Sequence, residues 1–388
     1  VTAVSPTPFE IAVPDEVLDD LHKRLANTRF PASIEGAGWS YGTDVGYLQS
    51  LVDYWRTDFN WREAERRLNE LPQYRARIQD VDLHFVHVPG KGPAPTPLLF
   101  VHGWPGSFSE VSKIIGPLTD PAAHGGDPEN SFSVVAPSLP GFGFSSDIGR
   151  PGMNPGTMAE ILAELMTDVL GYSEFVGQGG DWGSTVLTRL AHAHPDLVTG
   201  LHLNYSSVQP SMIDAAPLSA AEQQYLSANQ EWSAREGAYN SLQSTKPQSL
   251  AVALNDSPAG LAAWLVEKYR SWSDCNGDVE SSFSSDELLT QVMIYWVTQS
   301  IGSSSRLYAE RAREGWTFPP GEIIDVPTAY ARFPAEIRRP PAEWLERMFR
   351  LERFTDMPRG GHFAALEVPD LLVADLREFQ NQLRGNEQ

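Results

Sequence analysis

The chain has 388 residues, 41% of them hydrophobic, with Trp 11, Tyr 12 and Phe 17, which is ample apolar material for a large core and excludes a mainly disordered chain. Lys+Arg 29 against Asp+Glu 50 gives a formal charge of -21. Such a field repels phosphate backbones and anionic bilayers, so neither nucleic acid nor a membrane is an expected partner.

Residues 1–95 read as a separate N-terminal meander. Val1–Pro8 lacks the basic and then apolar pattern of a secretory leader. Val17, Leu18, Leu21 and Leu25 fall on one helical face after Pro14-Asp15. Tyr47, Leu48, Leu51, Val52 and Trp55 make a second helical stripe, and Trp61–Leu71 suggests a third short helix. Val81–Val88 alternates like a strand and stops at Pro89-Gly90.

Residues 96–206 change texture. Leu98–Val101, Phe132–Ala136, Glu174–Gly177 and Leu201–Asn204 are short apolar runs, with helical patterns at Met158–Val169 and Trp182–His192. Short buried strands alternating with helices predict an α/β fold with a mostly parallel sheet covered on both faces. Residues 207–321 read as mostly helical, with polar loops around 271–286. Cys275 lies there as a free thiol; one cysteine allows no intrachain disulfide and no cysteine-based metal cluster. In residues 322–388 strands return at Val326–Tyr330 and Arg353–Asp356, before a closing helix at Asp370–Leu383. A helical block set between two parts of one sheet is the pattern of a lid over a catalytic core. No apolar run approaches the roughly 18 residues of a membrane span, so the cytoplasm is the expected location.

Three segments carry chemistry. Gly177-Gln-Gly-Gly-Asp-Trp-Gly-Ser184 follows a strand and opens a helix, with Gly179 and Gly183 flanking Asp181. A nucleophile elbow needs small residues at those positions because the turn is tight, and a carboxylate at its apex can attack an electrophilic carbon to form an ester. A capped, glycine-rich turn is the bland alternative. His102-Gly-Trp-Pro-Gly-Ser107 follows the Leu98–Val101 strand, where an α/β-hydrolase places one oxyanion-hole donor. Trp104 is the candidate donor from this loop, and Trp182, directly after Asp181, is the other. Gly360-Gly-His-Phe363 follows the last strand, which places His362 as a base in the chain order nucleophile, acid, histidine. For the acid, Glu336 after the Val326–Tyr330 strand competes with Asp325 and Asp356.

Leu139-Pro-Gly-Phe-Gly-Phe144, Ala253-Leu-Asn-Asp-Ser-Pro258 and Phe333-Pro-Ala-Glu336 join these segments in one ordered series. Together they resemble the microsomal-type epoxide hydrolases and their juvenile-hormone and fungal relatives, over nearly the whole chain. The resemblance implies an α/β-hydrolase fold with an N-terminal helical meander and an inserted helical lid. It selects Glu336 as the triad acid, and points to two lid tyrosines that grip the epoxide oxygen: Tyr239, in Gly237-Ala-Tyr239, and Tyr308, in Ser305-Arg-Leu-Tyr308. It also implies an epoxide and water as reactants, with no cofactor and no metal. Mammalian members carry a membrane anchor that has no counterpart in this sequence, so that property does not carry over.

The expected activity is hydrolysis of a bulky or aryl epoxide to a vicinal diol through an ester on Asp181. A haloalkane dehalogenase shares the elbow and the histidine, and a silent hydrolase fold used for binding is the non-enzymatic alternative. Arg- and Pro-rich, Lys-poor usage suggests a bacterial source and, with it, a natural-product pathway of the enediyne kind. A homodimer is compatible with the sequence.

Overall fold

A computed structural model of the protein describes residues 5–146 and 148–386. Val1–Val4, on which part of the leader reading rests, lie outside the described residues. The strands are β1 (Thr7–Phe9), β2 (Gln73–Ile78), β3 (Val81–Val88), β4 (Thr96–Val101), β5 (Phe132–Pro137), β6 (Phe175–Gly179), β7 (Val198–Leu203), β8 (Ile324–Arg332) and β9 (Phe349–Asp356). They form one sheet in the order β1-β2-β3-β5-β4-β6-β7-β8-β9. From β5 to β9 all neighbours run parallel, while β1, β2 and β3 add an antiparallel margin. β4 pairs with β5 on one side and β6 on the other. Chain order therefore reverses at β4, and the crevice beyond the carboxyl ends of such strands is where an α/β sheet binds ligands.

Three strands from the first 95 residues thus belong to the same sheet as the core. The alternation of β3 is evident in the sequence; β1 and β2 are not. β2 reads Gln-Tyr-Arg-Ala-Arg-Ile, and its arginines disguise the alternation. The β2–β3 hairpin turns at Gln79 and Asp80, both at positive φ (46° and 66°), with neither of the glycines that normally announce such a turn. Cys275 is also more enclosed than a polar loop suggests: it is buried, with its thiol on the Arg270 carbonyl at 3.2 Å.

Helices cover the sheet. Asp181–Ala193 packs against β4, β6, β7 and β8, and Pro155–Glu164 packs on that helix. Between β7 and β8 the chain makes six helices, from Ala220–Glu236 to Ile301–Glu314. The N-terminal helices grip this block by polar contacts. Thr43 donates to the Ala263 carbonyl at 2.6 Å, Tyr54 to Asp286 at 2.9 Å, and Arg24 to Asp256 at 2.6 Å. Among the described residues, no helix is long and apolar enough to cross a membrane.

The final helix, Pro369–Asn386, is fastened to the sheet by the buried carboxylate of Asp375. It accepts from Arg353 Nε at 2.8 Å and Thr355 at 2.8 Å, and contacts His202 Nε2 at 3.0 Å. Burial alone would raise its pKa, but His202, Arg353 and Thr355 together hold it well below the ordinary carboxylate range. The stability this group contributes is present above its unfolded pKa and is lost as pH falls through the folded one. Asp375→Ala leaves the half-buried Arg353 guanidinium and the buried His202 imidazole without this partner, and should cost about 3 kcal/mol in denaturant unfolding; an unchanged midpoint would contradict this account.

Candidate active site

β6 delivers the chain into a turn whose apex is Asp181, at φ +44°, a left-handed conformation that side chains rarely adopt. The turn is held by close approach. A Cβ on Gly183 would lie 1.9 Å from the Val101 carbonyl oxygen, and one on Gly103 would lie 2.3 Å from Asp181 Cβ. With no side chains in the way, the β4 loop closes on the elbow, and the Trp104 N–H donates to Asp181 Oδ1 at 2.8 Å. His102 holds that loop: its Nε2 accepts the Leu139 N–H at 3.1 Å and its Nδ1–H donates to the Gly103 carbonyl at 2.9 Å. Burial holds its pKa down to about 4, which keeps the ring neutral for these roles.

The loop after β8 carries Glu336 and the loop after β9 carries His362. His362 Nδ1 and Glu336 Oε1 are 2.7 Å apart, and Glu336 Oε1 also accepts the Ile337 N–H at 2.6 Å. On its other side, His362 Nε2 lies 3.4 Å from Asp181 Oδ2. The backbone N–H of His362 donates to the Trp272 carbonyl at 2.8 Å, which ties the histidine loop to the helical block. Burial pushes the imidazole pKa down, but the Glu336 charge and the hydrogen bonds to Asp181 and Glu336 outweigh it, and the net shift is well upward. The competing acids are elsewhere: Asp325 is 83% exposed, and Asp356 binds Arg332 at 2.6 Å.

Tyr239 comes from the Ala238–Thr245 helix and Tyr308 from Ile301–Glu314, two helices that pack on each other. Both tyrosines are buried, with ring centroids 6.0 Å apart. The Trp104 indole stacks on Tyr239 at 5.5 Å and meets Tyr308 edge-on at 5.9 Å. Burial first, then nearby groups including the Asp181 charge, raise both phenol pKa values well above normal, so both remain protonated donors. The structure therefore brings Asp181, His362, Glu336, Tyr239, Tyr308 and Trp104 together. Trp182 differs: its ring packs on Tyr308 at 4.8 Å, but among the described residues its N–H makes no bond to Asp181 matching that of Trp104.

Glu110 is a site residue the sequence does not reveal. It shares a narrow internal space with Gly103, Trp104, Gln178, Asp181 and His362. Burial raises its pKa from the ordinary 4.5 to about 8; the Asp181 charge adds to this, while His362 and the Ser107 N–H oppose it. In sequence it is one more carboxylate after Ser107-Phe-Ser, and only its enclosure distinguishes it. Gln178 and Asn204 are also present, linked at 3.0 Å. A raised carboxyl pKa opposes folding as pH rises from the unfolded to the folded value. Glu110→Gln should therefore flatten the loss of stability between pH 4.5 and about 8; an unchanged slope in pH-dependent unfolding would refute the shift.

A family model described as "Epoxide hydrolase N terminus" matches residues 6–111, and one described as "alpha/beta hydrolase fold" matches residues 96–319. A Stigmatella aurantiaca protein provisionally assigned as an epoxide hydrolase is 45% identical, over 98% of this chain and 86% of its own length. Epoxide hydrolase 1 of Sus scrofa is 39% identical, over 97% and 88% respectively. Among solved structures, the juvenile hormone epoxide hydrolase of the silkworm Bombyx mori superposes with a TM-score of 0.88 at 29% identity, covering 99% of this chain and 96% of that one.

Proposed function

The chain belongs to the epoxide hydrolase family of the α/β-hydrolase fold, and we propose that it performs that family's reaction through an ester formed on Asp181. The observation that carries this reading is the carboxylate held between the Trp104 N–H at 2.8 Å and His362 Nε2 at 3.4 Å, with Glu336 2.7 Å behind the imidazole.

Asp181 attacks one epoxide carbon while Tyr239 and Tyr308 donate to the ring oxygen. As the C–O bond breaks, alkoxide charge develops, and a tyrosine proton neutralises it. The elevated phenol pKa values fit proton donation to a strongly basic alkoxide. Alkylation turns the Asp181 carboxylate into a neutral ester. One of the charges that hold a proton on His362 is thereby removed, and the imidazole becomes able to serve as a base for water. Glu336 fixes its orientation and stabilises the imidazolium that forms. Water gives one proton to His362 and attacks the ester carbonyl, and the Trp104 N–H stabilises the oxyanion; the acyl–oxygen bond to the substrate then breaks, the departing oxygen takes the proton from His362, the second water proton returns to the tyrosinate as the Asp181 carboxylate is restored, and the diol leaves. We assign Trp182 as a second donor, which has to turn toward the tetrahedral oxygen after attack.

The division of the chain follows the same reading: 1–95 as meander, 96–206 and 322–388 as catalytic core, 207–321 as lid. The aromatic crowding of Trp104, Trp272, Tyr239 and Tyr308 supports a bulky or aryl epoxide. A bacterial, cytoplasmic enzyme of natural-product biosynthesis is the context proposed from residue usage, and an unchanged metabolite profile after gene deletion would refute it. A homodimer completes the reading; light scattering at the mass of one 42.9 kDa chain would exclude it.

His362→Ala should alkylate but fail to hydrolyse the ester. Intact mass after exposure to styrene oxide should rise by the whole epoxide, on Asp181. A mass gain equal to an alkyl group, seen only with haloalkanes, would instead assign dehalogenase chemistry. The Tyr239→Phe, Tyr308→Phe double variant should lose nearly all single-turnover alkylation, and each single variant should only slow it. Retained alkylation in the double variant would remove the tyrosines from the mechanism.

A further inference from the structure

The narrow space beside the triad is walled by Glu110, Gln178, Asp181 and His362, together with Trp104. It offers about 20 Å³ to the centre of a water molecule. One water needs about 10–15 Å³ and two to four polar partners. Among the described residues neither Tyr239 nor Tyr308 forms part of this wall. The space thus meets the nucleophile and the base apart from the groups that grip the epoxide oxygen.

Glu110 is aimed there by the backbone. It stands in the short Phe108–Lys113 turn, which Ser107 caps. A Cβ on Gly106 would lie 1.6 Å from Glu110 Oε1, so the carboxyl fills the place of a side chain that Gly106 does not have. The helical block fixes the loop beneath it. Tyr295 donates to the Gly106 carbonyl at 2.7 Å, Ser107 Oγ donates to Gln291 Oε1 at 2.9 Å, and Gln291 Nε2 donates to Ser109 Oγ at 2.7 Å. The Ser107 N–H donates back to the Glu110 carboxyl, as in a capping box, which leaves the group further acceptor capacity. A second observation points to the same occupant. Gln178 is 1% exposed and its Nε2 donates to Asn204 Oδ1 at 3.0 Å, but its Oε1 is buried with no partner among the described residues. An unpaired buried amide oxygen is costly, and a water in this space satisfies it.

We propose that Glu110 is a water-positioning residue: with Gln178 it seats the water that hydrolyses the Asp181 ester. This rests on the epoxide hydrolase reading and deepens it. Before alkylation, protonated His362 donates to the seated water, which donates in turn to Glu110 and Gln178. Once the ester has formed, the water donates one proton to His362 Nε2, keeps its bond to Glu110, and turns a lone pair toward the ester carbon. Burial keeps the Glu110 carboxyl neutral near pH 7, so it orients this water without setting a second anion beside Asp181.

The test separates the two chemical steps with styrene oxide. Rapid mixing reads alkylation through tryptophan fluorescence, and quenched samples read the Asp181 ester by intact mass. Glu110→Leu should slow ester hydrolysis about ten- to a hundred-fold while alkylation stays within about two-fold, so that the ester accumulates during turnover. Glu110→Gln keeps an acceptor oxygen and should recover most of the hydrolysis rate. A residue that only caps its turn would lower stability without this split, so equal slowing of both steps overturns the proposal, as does unchanged hydrolysis in Glu110→Leu. Should Glu110→Leu fail to fold, Gly106→Ala, whose methyl displaces the carboxyl, should show the same split; unchanged rates there, or equal slowing of both, count against it. Hydrolysis without the split overturns this inference alone, whereas no ester on Asp181 in the wild type or in His362→Ala overturns the underlying reading.

Discussion

The contact on which the site depends is between two pieces of backbone. Gly183, in the first turn of the helix after β6, lies so close to the Val101 carbonyl that a single methyl group would collide with it. That approach forces Asp181 into its left-handed conformation and sets its carboxylate against the Trp104 N–H. Because β4 and β6 are hydrogen-bonded neighbours, the two loops leave the sheet side by side. The sheet supplies the register, the glycines remove the obstruction, and a strained residue is held where its carboxylate borders the narrow space it shares with Trp104 and His362.

Charge is arranged around this carboxylate with the same economy. One imidazole lies between two carboxylates, which together outweigh the effect of burial and favour its protonated form. In the proposed cycle the first chemical step consumes one of these charges. Base strength is thus adjusted by the progress of the reaction, and no further residue is required. For the phenols burial itself works in favour of the proton: it keeps Tyr239 and Tyr308 protonated until a stronger base, the developing alkoxide, appears beside them. Glu110, raised to about 8, extends the pattern of enclosed groups kept neutral near Asp181.

The helical block is held from two directions. The N-terminal helices grip its outer surface through Arg24, Thr43 and Tyr54, while the Trp272 carbonyl receives the backbone N–H of His362 from within. The helices that carry Tyr239 and Tyr308 both pack on Pro247–Asp256, the helix whose end Arg24 holds. Much of this was legible in advance. Asp181 was announced by its flanking glycines, Trp104 by the strand-ending His-Gly-Trp-Pro, and His362 by its place after the last strand. Glu336 led Asp325 and Asp356 only narrowly until family resemblance separated them, because a short segment does not reveal which carboxylate turns inward. β2 was hidden because its outward arginines mask the alternation and its turn contains no glycine.

The sequence by itself determined the α/β alternation, the position of the elbow and which residues stand at its apex and after the last strand, since these are local properties: a period of apolar residues, or a glycine two places from an apex. Tertiary structure decided what depends on residues far apart in the chain. It joined the first 95 residues to the core sheet, left Asp325 exposed while turning Glu336 toward His362, and brought Tyr239 and Tyr308 to one indole ring. It also brought Glu110 into the narrow space beside Asp181 and His362. The physical reason is that burial and pairing are properties of a neighbourhood, and the neighbours of a carboxylate or a guanidinium are chosen only when the chain closes on itself.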